Sequence, residues 1–271
     1  MTAWKRALQV WARRARECRH PVLLASAVRH GMLRLRLLEF ATGQPRDVLG
    51  GYIREIEDDE AFLQPFRAAL ARATTYTPRA GDFMMTGESG SVLFNEVALY
   101  ALVRARRPLV VVETGGTPGK SSAFILQAMM RNGTGHLFTV DLPPPESATS
   151  RIPRERYHDV RPAGTGSNWV VPAPLRGRQT LRIGPSHQVL PPLLASLDAV
   201  DLFLHDSDHS YAHMYWEFET AWPRVGPTGL LVSDDVLAND AFADFCRKES
   251  LASRTVFNLG VARRRPQRPG R

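Results

Sequence analysis

The sequence predicts an α/β fold: a doubly wound, mostly parallel sheet with helices on both faces, preceded by an N-terminal helical region. Three observations carry this. From Leu109 onward, short apolar runs rich in β-branched residues alternate with helical patterns. A Gly-rich turn joins the first of those runs to a helix. Before Leu109 the apolar periodicity is helical throughout.

Residues 2–19 space Trp4, Leu8, Trp11, Ala15 and Cys18 by three and four, which predicts an amphipathic helix that Pro21 closes or kinks. A second apolar and basic stretch runs to Phe40, and Gly43 to Gly51 reads as a linker. Residues 52–73 read as one helix with Ile53, Ile56, Phe62, Phe66 and Leu70 inward, and 92–106 as another. Leu109–Glu113 is the first strand, and Ser121–Arg131 is the helix after the turn, stopped by Asn132-Gly133. His136–Asp141 is the second strand. The Pro-, Gly- and Arg-rich segment 142–176, with Tyr157 and Trp169, reads as a long loop or lid. Then follow strand Thr180–Ile183, helix Val189–Leu197, strand Val200–His205, helix Ser210–Trp222, strand Gly229–Ser233, helix Ala241–Leu251 and a strand-like Thr255–Ala262. The domains expected are a helical arm or cap at 1–82, the α/β domain at 83–262 and a basic tail at 263–271.

Composition narrows the classes. No run of about 18 uncharged apolar residues occurs, so no membrane span is expected. Arg29, His30, Arg34 and Arg36 interrupt the one long apolar N-terminal stretch, which does not read as a secretory signal. Cys18 and Cys246 are the only cysteines, which excludes a disulfide scaffold and suits the cytoplasm. The net charge of +8 invites a nucleic-acid reading, but its location argues otherwise. Residues 1–40 carry +7 and residues 261–271 carry +5, while 41–260 carry −4. Nucleic acid is therefore the lesser alternative, through the Arg-rich arms, and a small molecule the expected partner. The N-terminal helices are expected to cap the domain or to join copies into a homo-oligomer.

The turn reads Glu113-Thr114-Gly115-Gly116-Thr117-Pro118-Gly119-Lys120-Ser121. Gly119-Lys120-Ser121 ends like a phosphate-binding loop, but the first glycine of that motif would fall on Thr114. The dinucleotide spacing G-x-G-x-x-G is not met either. What remains is Glu-x-Gly-x-x-x-Gly, whose glycines let backbone approach a small ligand closely. Asp141 closes the second strand, where a carboxylate can accept both hydroxyls of a ribose. His205-Asp206-Ser207-Asp208-His209 closes the fourth strand and Ser233-Asp234-Asp235 the fifth. Such converging carboxylates repel one another unless a cation binds or some are protonated. With no cysteine beside them, hard oxygen ligands favour Mg²⁺ or a similar divalent cation. The unperturbed pKa of a histidine lies near neutrality, so His209 suits a general base.

Taken together, these motifs resemble the class I S-adenosylmethionine-dependent methyltransferases. The similarity is greatest to the subfamily of catechol O-methyltransferase, the macrocin-type O-methyltransferases and the cephalosporin hydroxylase-like proteins. It covers residues 83–262, most specifically 200–245. It implies a Rossmann-like fold with S-adenosylmethionine as cofactor. It implies that Glu113, Thr114, Gly115, Gly119, Asp141, Ser186, His187 and Asp206 bind that cofactor, with Gly184-Pro185-Ser186-His187 as the turn against adenine. It implies Asp206, Asp234 and Asp235 as ligands of a Mg²⁺ or other divalent ion, and Asp208 or His209 as base or substrate contact. The implied activity is Mg²⁺-assisted O-methylation of a small hydroxylated molecule; a nucleic-acid methyltransferase and a cofactor-binding scaffold without activity are the alternatives.

Overall fold

The computed structural model describes residues 21–70, 94–142, 162 and 164–265; side chains are described from residue 31 in the first helix and from residue 95 in the helix that opens the second stretch. The helix expected at 2–19, most of the 142–176 loop including Tyr157, and the tail from 266 lie outside the described residues.

Four helices lead the chain into the sheet: α1 (Pro21–Thr42), α2 (Arg46–Glu57), α3 (Glu60–Leu70) and α4 (Phe94–Arg106). The expected linker at 43–51 is only partly one, because α2 absorbs Gly50 and Gly51. Leu49 and Ile56 are fully buried on that helix, and this packing outweighs the weak helix propensity of glycine. The single helix expected at 52–73 is broken at Asp58-Asp59. Asp59 Oδ1 accepts the Phe62 amide at 3.2 Å and so caps α3. Its other oxygen takes Gln127 Nε2 and Arg131 Nη2, each at 2.7 Å, which ties the break to the α/β unit.

The α/β unit follows the expected order: β1 (Val110–Thr114), α5 (Lys120–Asn132), β2 (His136–Asp141), β3 (Gln179–Ile183), α6 (Ser186–Ala195), β4 (Val200–His205), α7 (Tyr211–Ala221), β5 (Val225–Ser233) and α8 (Ala241–Lys248). The strand-like end is two strands, β6 (Ala252–Val256) and β7 (Leu259–Arg263). Val256 pairs directly with Leu259, and Phe257 takes a φ of 53° in the tight turn between them. The seven strands run β3-β2-β1-β4-β5-β7-β6, with β1 to β5 parallel and β7 antiparallel to both neighbours. This is the Rossmann-like, mostly parallel sheet that the alternating pattern predicts.

Side-chain alternation along the strands decides what covers each face. Val111, Leu202, Leu204, Leu230 and Val232 pack with α1 to α5. Val112, Phe203 and Leu231 pack with α6, α7 and α8. Glu113 follows Val111 and Thr114 follows Val112, so these two neighbours end up on opposite faces. Strand order reverses direction beside β1, where β2 and β3 lie to one side and β4 and β5 to the other. Ligands of such sheets bind at the carboxyl ends of the strands at this switch point. Among the described residues no helix is long and apolar enough to cross a membrane.

Candidate active site

Register brings the predicted residues to one edge. Thr114 pairs with Val140 and with His205, and His205 pairs with Ser233. The ladder continues one residue further: the Asp206 amide donates to Thr114 O and the Asp234 amide to His205 O, both at 2.9 Å. The Gly-rich turn, Asp141, Asp206 and Asp234 therefore leave the sheet side by side.

Gly115 stands at φ 80°, and a Cβ on it would lie 1.8 Å from the Asp206 carbonyl oxygen. Its glycine is required by the close approach of two chain segments, independent of any ligand. Asp141 is buried and faces the turn across from β2. Its Oδ1 accepts the Gly116 amide at 3.0 Å; its Oδ2 accepts Thr117 Oγ1 at 2.6 Å and also Ser167 Oγ. Glu113 is fully buried on the α5 side, where Ser121, Ser122 and Thr139 donate their hydroxyls to it. Burial pushes its pKa up to about 7 against the pull of those donors.

On the opposite face Thr114 donates to Glu217, a fully buried carboxylate on α7. His205 Nδ1 donates to Glu217 at 2.7 Å, Ser207 Oγ at 3.0 Å and His213 Nε2 at 2.9 Å. Burial alone would raise the Glu217 pKa, but the His205 and His213 donors hold it well below the usual carboxylate range. Ser186 Oγ lies 3.1 Å from His213 Nε2, so the turn that opens α6 is tied into the same group. Sequence reasoning missed this hub. The spacing of four between His213 and Glu217 on a helix was the available signal.

His209 stands between two acids, with Nε2 3.8 Å from Asp206 Oδ1 and Nδ1 3.9 Å from Asp235 Oδ2. Asn239 holds its backbone by donating to His209 O at 2.8 Å. Asp208, the other base candidate, is exposed and accepts the Ser210 amide at 2.8 Å, which caps the entry to α7. His187 is exposed on α6, and among the described residues its ring meets the neighbouring Gln188 side chain at 3.4 Å.

The expected metal set does not fit. Among the described residues no group of three or more His, Cys, Asp or Glu is placed to hold an ion. Asp234 Oδ1 accepts Asn95 Nδ2 at 2.7 Å and the Asp235 amide at 2.8 Å. Asp235 sits at φ 48° and accepts Asn258 Nδ2 at 2.8 Å on Oδ1. Neutral amides thus take one oxygen of each of two carboxylates, Asp234 and Asp235, that were expected to converge on a cation. The remaining repulsion shows in the titration of these acids. Asp206 is raised by burial and by Asp234, and Asp234 is pushed up to about 7 by burial and by Asp235. Asn95, Glu96, Ser121, Asp206 and Asp234 line a small cleft of about 20 Å³ between α4 and the ends of β4 and β5.

Residues 112–236 match the family model described as a methyltransferase domain. The fold is similar to that of an O-methyltransferase from Bacillus cereus solved with S-adenosylhomocysteine, at 15% identity and a TM-score of 0.50, covering 75% of this chain and 91% of that one. It is also similar to TomG, an O-methyltransferase of tomaymycin synthesis from Streptomyces achromogenes, at 16% identity and a TM-score of 0.46, covering 75% and 89%. The Podospora anserina methyltransferase PaMTH1 gives 12% identity and a TM-score of 0.48, covering 76% and 88%. No curated protein matches the chain. The matched segment begins within β1 and ends just past Asp235, so the stretch of this chain that is similar to a methyltransferase domain spans the turn and both acidic strand ends.

Proposed function

We propose that this edge binds S-adenosylmethionine and directs its methyl group to a hydroxyl of a small molecule. The observation that carries the reading is Asp141, a buried carboxylate aimed at the turn between β1 and α5 and held there by the Gly116 amide. The Thr117 and Ser167 hydroxyls occupy its Oδ2, and the diol of a bound ribose would take the place of these two donors. Gly115, Gly119 and the first turn of α5 form the floor for the rest of the cofactor, with Asp206 beside them and Ser186 and His187 towards the adenine. When bound, the cofactor supplies an electrophilic methyl group on a sulfonium. The hydroxyl acceptor is suggested by the O-methyltransferases among the structures of like fold.

The chain's own residues then position and deprotonate. Methyl transfer depends chiefly on alignment of the acceptor oxygen, and the end of β4, where Asp206 lies 3.8 Å from His209 Nε2, is the place for that oxygen. His209 removes the acceptor proton, and the flanking Asp206 and Asp235 stabilise the imidazolium that forms. No step is assigned to a metal, because the carboxylates that would hold it are bonded to Asn95 and Asn258.

Two outcomes test this. Calorimetric titration with S-adenosylhomocysteine is expected to show one site per chain, and Asp141→Ala to weaken it by about 10- to 100-fold while the melting temperature stays within a few degrees. A wild-type protein that takes up none would remove the reading. Titration with MgCl₂ is expected to give no saturable heat, and EDTA to leave cofactor affinity unchanged. Saturable Mg²⁺ binding lost in Asp234→Asn would restore the metal site.

A further inference from the structure

The end of the long loop returns over the Gly-rich turn, and one residue there is left with an unanswered acceptor. Asn168 is 2% exposed and adopts a φ of 55°, the left-handed region that asparagine tolerates better than most residues. Its Nδ2 donates to Ser122 Oγ at 3.0 Å. Ser122 Oγ has already given its hydrogen to Glu113, so it can take the Asn168 amide only as an acceptor. This fixes the orientation of the carboxamide. Its Oδ1 is then buried with no donor. That oxygen faces the turn: a Cβ placed on Gly116 would lie 2.5 Å from it, and a Cβ on Gly119 2.9 Å from Asn168 Cα. The Gly116 amide cannot answer it, because it donates to Asp141.

A buried acceptor without a partner carries a desolvation penalty of about 1–3 kcal/mol. Such an atom, kept in one orientation at a ligand-binding edge, marks a place for a donor that arrives with the ligand. The preceding residue points to the same ligand, since Ser167 Oγ donates to Asp141 Oδ2 and the Val170 amide donates to Pro118 O at 3.2 Å. The segment 167–170 is thereby pinned to the ribose-binding carboxylate and to the Gly-rich turn together. The Glu113 carboxylate is joined to Asn168 through Ser122 Oγ, so a donor that arrives here with positive charge meets an acid one hydrogen bond away.

We propose that Asn168 is a further cofactor-binding residue whose Oδ1 accepts a hydrogen bond from the α-ammonium group at the amino-acid end of the cofactor. This rests on the reading of the edge as a cofactor site. It deepens that reading by assigning residues 167–170 to recognition of the amino acid, with Asp141 left to the ribose.

The test is calorimetric titration of the full chain with S-adenosylhomocysteine and with its deaminated analogue, which keeps the carboxylate and adenosine. The variants are Asn168→Ala and Asn168→Gly, the glycine removing the side chain while accepting the left-handed backbone. Both variants are expected to bind S-adenosylhomocysteine about 10- to 100-fold more weakly and the deaminated analogue within about twofold of wild type. An equal loss for both ligands would show that Asn168 only shapes the turn, and no loss for either would show that it is not used; each overturns the assignment. Failure of the wild type to bind S-adenosylhomocysteine would overturn the cofactor site as a whole, which is a different result.

Discussion

Gly115→Ala is expected to destabilise the protein by about 4 kcal/mol and to abolish S-adenosylhomocysteine binding. The added Cβ would lie 1.8 Å from Asp206 O, 2.4 Å from its carbonyl carbon and 2.8 Å from Ser207 Cα. These are backbone atoms held by the β1–β4 ladder, so no side chain can swing aside to make room. The φ of 80° adds the strain that any L-residue meets in the left-handed region. Urea unfolding measures the first effect and calorimetry the second. Gly133→Ala is the control: it shares a φ of 71° but a Cβ there meets nothing within 4 Å. It is expected to cost about 1 kcal/mol and to leave binding intact. Equal losses in the two variants would mean that the contact with Asp206 is not what demands glycine at 115.

Glu217→Gln is expected to cost about 3 kcal/mol at neutral pH, since it breaks a buried charged group and leaves its donors without a carboxylate. Thr114, His205, Ser207 and His213 all donate to Glu217, so the loss reaches the ends of β1 and β4 together. The pH dependence has two limbs. The Glu217 pKa is depressed in the fold from a usual 4.5, so its stabilisation is complete above that pH and is lost as pH falls below it. The His213 pKa is raised from 6.5, first by its hydrogen bond to Glu217, so its share is complete below 6.5 and is lost as pH rises through the folded value. The pair therefore stabilises the fold most between about 4.5 and 6.5. Melting temperatures of wild type and variant between pH 3 and 9 test this. The gap is expected to be widest inside that window and to narrow on both sides. A gap independent of pH would show that Glu217 acts by shape alone.

Much of the fold was legible because its signals are local. The strand from Val200 to His205 and that from His136 to Asp141 begin and end where the apolar, β-branched runs do. The break at Asp58-Asp59 was not legible, since Asp59 gains its caps and partners from Gln127 and Arg131 on a helix far along the chain. Gly50 and Gly51 misled in the same way: their weak propensity is local, while the burial of Leu49 and Ile56 that overrides it is not. At the site, Asp141, Asp206 and Gly115 were found because strand ends in a parallel sheet must gather at one edge. Glu217 and Asn168 were not, because a buried acceptor declares itself only through its donors.

By itself the sequence determined the alternation of strands and helices, the edge where chemistry would gather and the class of enzyme that the chain resembles. Periodicity, turn residues and acids at strand ends are properties of neighbours in the chain, and they survive without coordinates. The tertiary structure alone decided how each carboxylate is used. Asp234 meets Asn95 across 139 positions and Asp235 meets Asn258 across 23. A run of aspartates reads the same in sequence whether a cation or an amide answers it. Only the folded register, which sets which polar group lies within hydrogen-bond reach, separates the two.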